Sequence, residues 1–169
     1  MAQTTRQRFP LQFRKVFKKN LNKLILIICA WSVGAYFLIQ YLSSPHTTNE
    51  FFSNGKLVWF GWVFFLLVLV ILNSAYEILY FLTYKYDMDD QNLLVSKGVI
   101  AKTEVTLPFN KITDVYIDQD MLDVMFGLWD LHISTPTVES GHLAHIDGLT
   151  RESANEFRKI ILERINSNK

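Results

Sequence analysis

Residues 57–82 read LVWFGWVFFLLVLVILNSAYEILYFL, and the rest of the chain is arranged around them. From Leu57 to Tyr76 no residue is charged. Twenty such residues at ~1.5 Å each cross a hydrocarbon core of ~30 Å. The run passes almost without a linker into Thr83-Tyr84-Lys85-Tyr86-Asp87, whose alternation predicts a first strand. A span that feeds directly into a sheet pins that sheet against the bilayer surface.

Upstream lies a second uncharged run, Leu24 to Leu42, also long enough to span. A signal peptide has a shorter apolar core, ~7–15 residues, and a small-residue cleavage site. Here the run ends in Ser43-Ser44-Pro45, so it reads as an uncleaved anchor. Residues 1–23 hold Arg6, Arg8, Arg14, Lys15, Lys18, Lys19 and Lys23 and no acid, whereas the loop between the runs holds only Lys56 as a cation. The positive-inside rule then places both termini in the cytoplasm. Within the N-terminal segment, Phe13, Phe17 and Leu21 recur at helical spacing among Arg14, Lys15, Lys18, Lys19 and Lys23. That pattern predicts a basic amphipathic helix on anionic headgroups, or a positive collar that only sets topology. The expected division is therefore a basic segment 1–23, a hairpin 24–82 with spans 24–42 and 57–82, and a domain 83–169.

Between the spans, Ala30 and Gly34 allow close helix approach, and Asn73 and Ser74 offer an interhelical hydrogen bond. Packing within the hairpin and a dimer contact both remain open. Glu77, past twenty apolar residues, is expected at the inner interface rather than in a relay. The lone cysteine, Cys29, forms no internal disulfide and belongs to no metal-ligand spacing.

After residue 83 the period becomes two. Strands are expected over 93–97, 102–109 and 112–118, with Ile112 out of phase and hinting at a bulge. Met121–Phe126 is short and mixed, with room for one helical turn before Gly127. WDLHIST (129–135) and HLAHIDG (142–148) pair as a hairpin in one register. That register sets Leu131 opposite Ile146 and Ile133 opposite Ala144, facing inward. It sets His132 opposite His145 and Asp130 opposite Asp147, facing outward. Two facing aspartates repel, so a cation from a neighbouring strand or a partner is expected beside them. The chain closes on a helix with Thr150 as N-cap and Ala154, Phe157, Ile161 and Ile165 as its apolar stripe. Six or seven antiparallel strands and one helix make an open barrel or sandwich with a helical plug.

Three pieces carry a family resemblance: LLVSKG (93–98), LPFNKITDV (107–115), and FGL (126–128) with IST (133–135) and IDGL (146–149). Residues from about 24 to 165 resemble the bacterial pleckstrin-homology (PH-like) domain membrane proteins, YdbS-like, with two spans ahead of the domain. The resemblance implies a split barrel capped by a C-terminal helix, a bacterial cell membrane location, no catalytic residues, and a binding or assembly role. Two departures stand out: Asp123, Val124 and Met125 precede FGL where a basic residue is common, and Pro136-Thr137 replaces a small-residue turn.

No phosphate loop, nucleophile elbow, zinc-protease motif or paired-carboxylate motif occurs, so the sequence predicts neither an enzyme, a cofactor nor a small-molecule substrate. His142 and His145 point to opposite faces of a strand. His132 and His145 with Asp130 and Asp147 are a weaker metal candidate than a solvated outer face. Residues 84–169 hold nine Lys or Arg against fourteen Asp or Glu, a charge of −5 that argues against nucleic acid. Asp114, Asp118 and Asp130, in an acidic run with Asp120 and Asp123, are expected to be either a solvated face or a docking surface for a basic protein. The sequence therefore predicts a scaffold module assembling with membrane proteins or with its own copies. The alternative is a lipid-headgroup or membrane-stress sensor, disfavoured because the first turn offers Asp87, Asp89 and Asp90 where phosphate needs Lys or Arg.

Overall fold

The computed structural model describes residues 4–43, 55–136 and 144–167. It divides the chain into two compact units, Lys19–Glu77 on one hand and Met1–Lys18 with Ile78–Lys169 on the other. The sequence boundary at residue 83 thus misses a contribution. Residues up to 18 belong to the same unit as the sheets.

Helix α1 is Thr5–Arg8, α2 is Arg14–Leu42 and α3 is Gly55–Thr83. Both long helices are apolar enough to cross a membrane, with mean hydropathies of 1.9 and 2.2 in their segments Arg14–Tyr41 and Val58–Thr83. Almost none of that surface is buried by protein, unlike a core helix of a soluble domain. Inside the hairpin unit, Gly34 lies under the Trp62 indole, where an added Cβ would come within 2.7 Å of the ring. The Trp31 and Trp62 rings stack at 6.4 Å. Asn73 Nδ2 donates to Asn20 Oδ1 at 2.8 Å, the interhelical bond expected of Asn73 with its partner supplied by the first helix. Glu77 is buried and ion-paired with Lys23. Gly34 and Asn73 are thus used within the hairpin.

The other unit has two antiparallel sheets. Strands β1 (Lys85–Met88), β2 (Asn92–Lys97) and β3 (Thr103–Pro108) pair in the order β1-β2-β3. A single 3-10 turn, Phe109–Lys111, leads to β4 (Asp114–Asp118). Helix α4 (Met121–Phe126) follows, and then β5 (Trp129–Ser134) and β6 (His145–Leu149) complete the order β4-β5-β6. Six strands are present among the described residues, and no ladder joins the two sheets into a closed barrel. Ile112 is buried as the residue ending the 3-10 turn, so its phase shift marks a corner and not a bulge. Pro108 ends β3, which is an edge strand as its proline requires.

Helix α5 (Arg151–Ser167) starts on the expected cap, with the Ser153 N–H donating to Thr150 Oγ1 at 3.2 Å. Ala154, Phe157, Ile161 and Ile165 are all buried against both sheets. The core also takes Phe9 and Leu11 from the N-terminal arm. The Phe9 ring stacks on Phe157 at 5.0 Å and 7°.

That arm also reaches the edge strands β1 and β6. Thr5 N and Oγ1 donate to Asp87 Oδ1 at 2.9 and 2.7 Å, and Met88 N donates to Thr5 Oγ1, so β1 is capped. Gln12 N donates to Gly148 O at 2.8 Å, which caps β6. Unpaired edge groups template aggregation, and the arm partners one backbone group on each of the edge strands β1 and β6. Burial pushes the Asp87 carboxyl up, but the three bonds from Thr5 and Met88 outweigh it and hold it below the usual range.

Candidate functional site

The hairpin register places Leu131 opposite Ile146 and His132 opposite His145, as the alternation predicts. The Ile133–Ala144 pair is not in the ladder, although both side chains are buried. His142 lies outside the described residues. Beyond Leu131 the register slips, since Trp129 pairs with Leu149, so Asp147 and Gly148 together oppose Asp130. This is a β-bulge, and Gly148 adopts φ +87° in it.

The bulge overturns the outward placement of Asp130 and Asp147, both of which are buried. The Gly148 N–H turns onto Asp130 Oδ1 at 2.9 Å. Lys15 passes its stem over Gly148, where an added Cβ would come within 2.8 Å of it, and its ammonium pairs with Asp147. The same ammonium sits 4.3 Å from the Tyr84 ring centroid, a cation–π contact. Lys18 Nζ meets Asp123 Oδ1 at 2.6 Å, Asp120 Oδ2 at 3.0 Å and Asp130 Oδ2 at 3.6 Å. The expected cations are therefore present, but they come from the N-terminal arm. Burial pushes the Asp123 carboxyl above its ordinary value despite Lys18. Burial also raises Asp120, but the Asp123 N–H and the Lys18 ammonium more than offset it and hold it low.

This geometry turns Lys15 and Lys18 away from a lipid-facing role and leaves Lys23 partly exposed beside its acid partner. Lys15 is 2% exposed, Lys18 is held by three carboxylates, and Lys23 is on Glu77. Arg14 stays exposed, and Lys19 is half-buried. It also rewrites the charge of the domain. The five cations of residues 1–18 balance the five-charge deficit of residues 78–169, so the compact unit is formally neutral.

What remains open is the outer face of the second sheet. Asp114, Tyr116 and Asp118 alternate outward on β4. Strand register aligns Tyr116 with His132, and His132 with His145. The three rings form a ladder, Tyr116 to His132 at 4.9 Å and 4°, and His132 to His145 at 4.2 Å and 16°. His132 Nε2 lies 3.0 Å from Asp118 Oδ1, and His145 Nε2 lies 3.4 Å from Asp130 Oδ2. Rings stacked face to face do not converge their nitrogens on one point. Among the described residues no three His, Cys, Asp or Glu side chains are grouped to hold a metal, and Asp147 is turned to Lys15. The β4–β5 register was not assigned from sequence, so the part Tyr116 plays in the ladder was not legible there.

The first turn carries no phosphate cradle. Asp89 accepts from the N–H groups of Gln91 and Asn92 at 2.8 and 2.6 Å, and Asp90 pairs with Arg164. Carboxylates fill the place of forked donors.

A family model described as Bacterial PH domain matches residues 11–165. The chain belongs to the bacterial PH domain family. The PH match starts at Leu11, the arm residue packed in the core, and ends at Ile165, the last residue of the buried stripe. It does not address the narrower YdbS-like likeness. PH domains of this kind are generally non-catalytic binding modules for protein or lipid. No curated protein and no solved structure matches the chain.

Proposed function

We propose that this PH-family chain is a membrane-anchored interaction module that binds a basic surface of another membrane protein, with both termini in the cytoplasm. The observation carrying the reading is the ring ladder of Tyr116, His132 and His145 flanked by the exposed carboxylates of Asp114 and Asp118. Aromatic platforms with a charged rim are what protein interfaces use for anchoring and register. Asp130, buried within its own chain, drops out of the docking set. The headgroup reading still lacks donors at the first turn.

Reversing Asp114 and Asp118 to Lys tests the face. A photo-crosslinker at Tyr116 in native membranes should capture a partner, and the double reversal should lower that capture roughly tenfold, about 1.4 kcal/mol. The fold should survive, because both side chains are exposed. Unchanged capture would remove the acidic rim from the interface, and a product of twice the chain mass would make the partner a second copy.

The cytoplasmic placement of both termini rests on the cations before residue 24, and the grouping of residues up to 18 with the sheets in one compact unit is compatible with it. A thiol placed at Thr48 should label from outside, and one at Ser167 should not. Labelling at Ser167 would reverse the orientation.

A further inference from the structure

We propose that the apolar face of α4, formed by Met121, Val124 and Met125, dips into the lipid interface as a third contact between the PH domain and the bilayer. The proposal rests on the reading that the two long helices cross the membrane. These three side chains are 86%, 64% and 70% exposed. They sit at i, i+3 and i+4 and so share one face of the helix, while Asp123 on the other side is fully buried. Three large apolar groups adjoining on a small helix are more than the scattered exposure usual on a soluble surface.

Lipid, not protein, is assigned as the occupant because of where α4 is fastened. Asp120 and Asp123 hold Lys18, while Arg14 Nη1 reaches the Phe126 carbonyl at 3.5 Å. Lys18 is separated from Leu24, the first residue of the apolar run, by a stretch that spans at most ~20 Å even when fully extended. The patch is thus fastened to the arm residues that directly precede the first apolar run in the sequence.

The same unit carries further exposed apolar surface on the arm and at the end of α3. Phe13 and Phe17 are exposed, and the Phe13 ring meets Phe81 edge-on at 5.6 Å. Phe81 belongs to the tail of the second apolar run, whose Ile78, Leu79 and Leu82 are exposed on the same unit. Exposed Arg14 stands among these residues, placed for headgroup phosphates. Two methionines suit a disordered acyl boundary, since the thioether side chain adapts its shape.

The test uses the full chain with Cys29→Ser, reconstituted in vesicles of zwitterionic and anionic lipid with shallow spin-labelled quenchers for residues 100 and 124 and deep ones for residue 71. A fluorophore is attached at Val124→Cys, at Ile100→Cys in the exposed β2–β3 turn, or at Ile71→Cys in the second apolar run. Quenching at 124 should exceed that at 100 several-fold, at every lipid-to-protein ratio. Adding Met121→Glu and Met125→Glu should return the signal at 124 to the level at 100, with the unfolding midpoint unchanged. Equal quenching at 100 and 124, with 71 quenched, would overturn this inference and leave the membrane reading intact. No quenching at 71 would overturn both. Shielding at 124 that varies with protein density would assign the face to a second copy and overturn the lipid contact.

Discussion

A fragment from Tyr84 to Lys169, cut where the sequence pattern changes, is expected to lose its cooperative tertiary structure. It lacks Phe9, Leu11 and Val16, all buried. Full burial of such side chains contributes ~1.5–3 kcal/mol each, so the three account for roughly 5–9 kcal/mol. A domain's whole margin is ~5–15 kcal/mol. The fragment also exposes the Phe157 face on which Phe9 stacks and uncaps β1 and β6, inviting edge-to-edge association. Near-UV circular dichroism and dye binding should report a loosened, sticky state. Joining residues 4–18 to Tyr84 through a flexible linker should restore a sharp melt. A fragment that melts as sharply as the fusion would show the arm to be dispensable.

What was legible in the sequence follows from the range of the forces involved. The closing helix was readable to the residue, because Thr150, Ala154, Phe157, Ile161 and Ile165 form a local 3.6-residue pattern with its own cap. The His132–His145 register was readable because a short loop and one buried face leave little choice. The arm was not readable as part of the core. Phe13 and Phe17 mark a helix period by themselves, and they stay exposed, while the buried members Phe9, Leu11 and Val16 follow no periodic template. Phe9 stacks on Phe157, some 150 residues away on α5, and Gln12 beside Leu11 bonds Gly148 on β6. Similarly, nothing local tells a lysine that will meet phosphate from one that will meet an aspartate. The clue present in the sequence was the facing pair Asp130 and Asp147, which demanded a cation without naming its source.

Lys15→Met should cost about 3–5 kcal/mol of unfolding free energy, the penalty for stranding one member of a buried ion pair. The lysine is buried to 2%, its ammonium is committed to Asp147 and the Tyr84 ring, and its stem fills the space Gly148 leaves. Methionine keeps most of that volume, so the loss measures the uncompensated carboxylate rather than a cavity. Asp147→Leu alone should cost a similar amount by stranding the ammonium. The double replacement should recover most of the loss, because two apolar groups of comparable volume need no counter-charge, and buried pairs exchanged in this way are often neutral. The non-additivity, read from denaturant unfolding of the detergent-solubilised full chain, is then the signature of a direct pair. A cation lying on headgroups predicts the opposite pattern. Lys15→Met would then move stability by no more than ~0.5 kcal/mol, as at an ordinary surface position. Its effect would appear instead as weaker binding to anionic vesicles, and Asp147 would show no coupling to it. Additive single and double variants would therefore return Lys15 to the membrane surface, and strong coupling would fix it as the counter-ion that lets the β6 bulge stay buried.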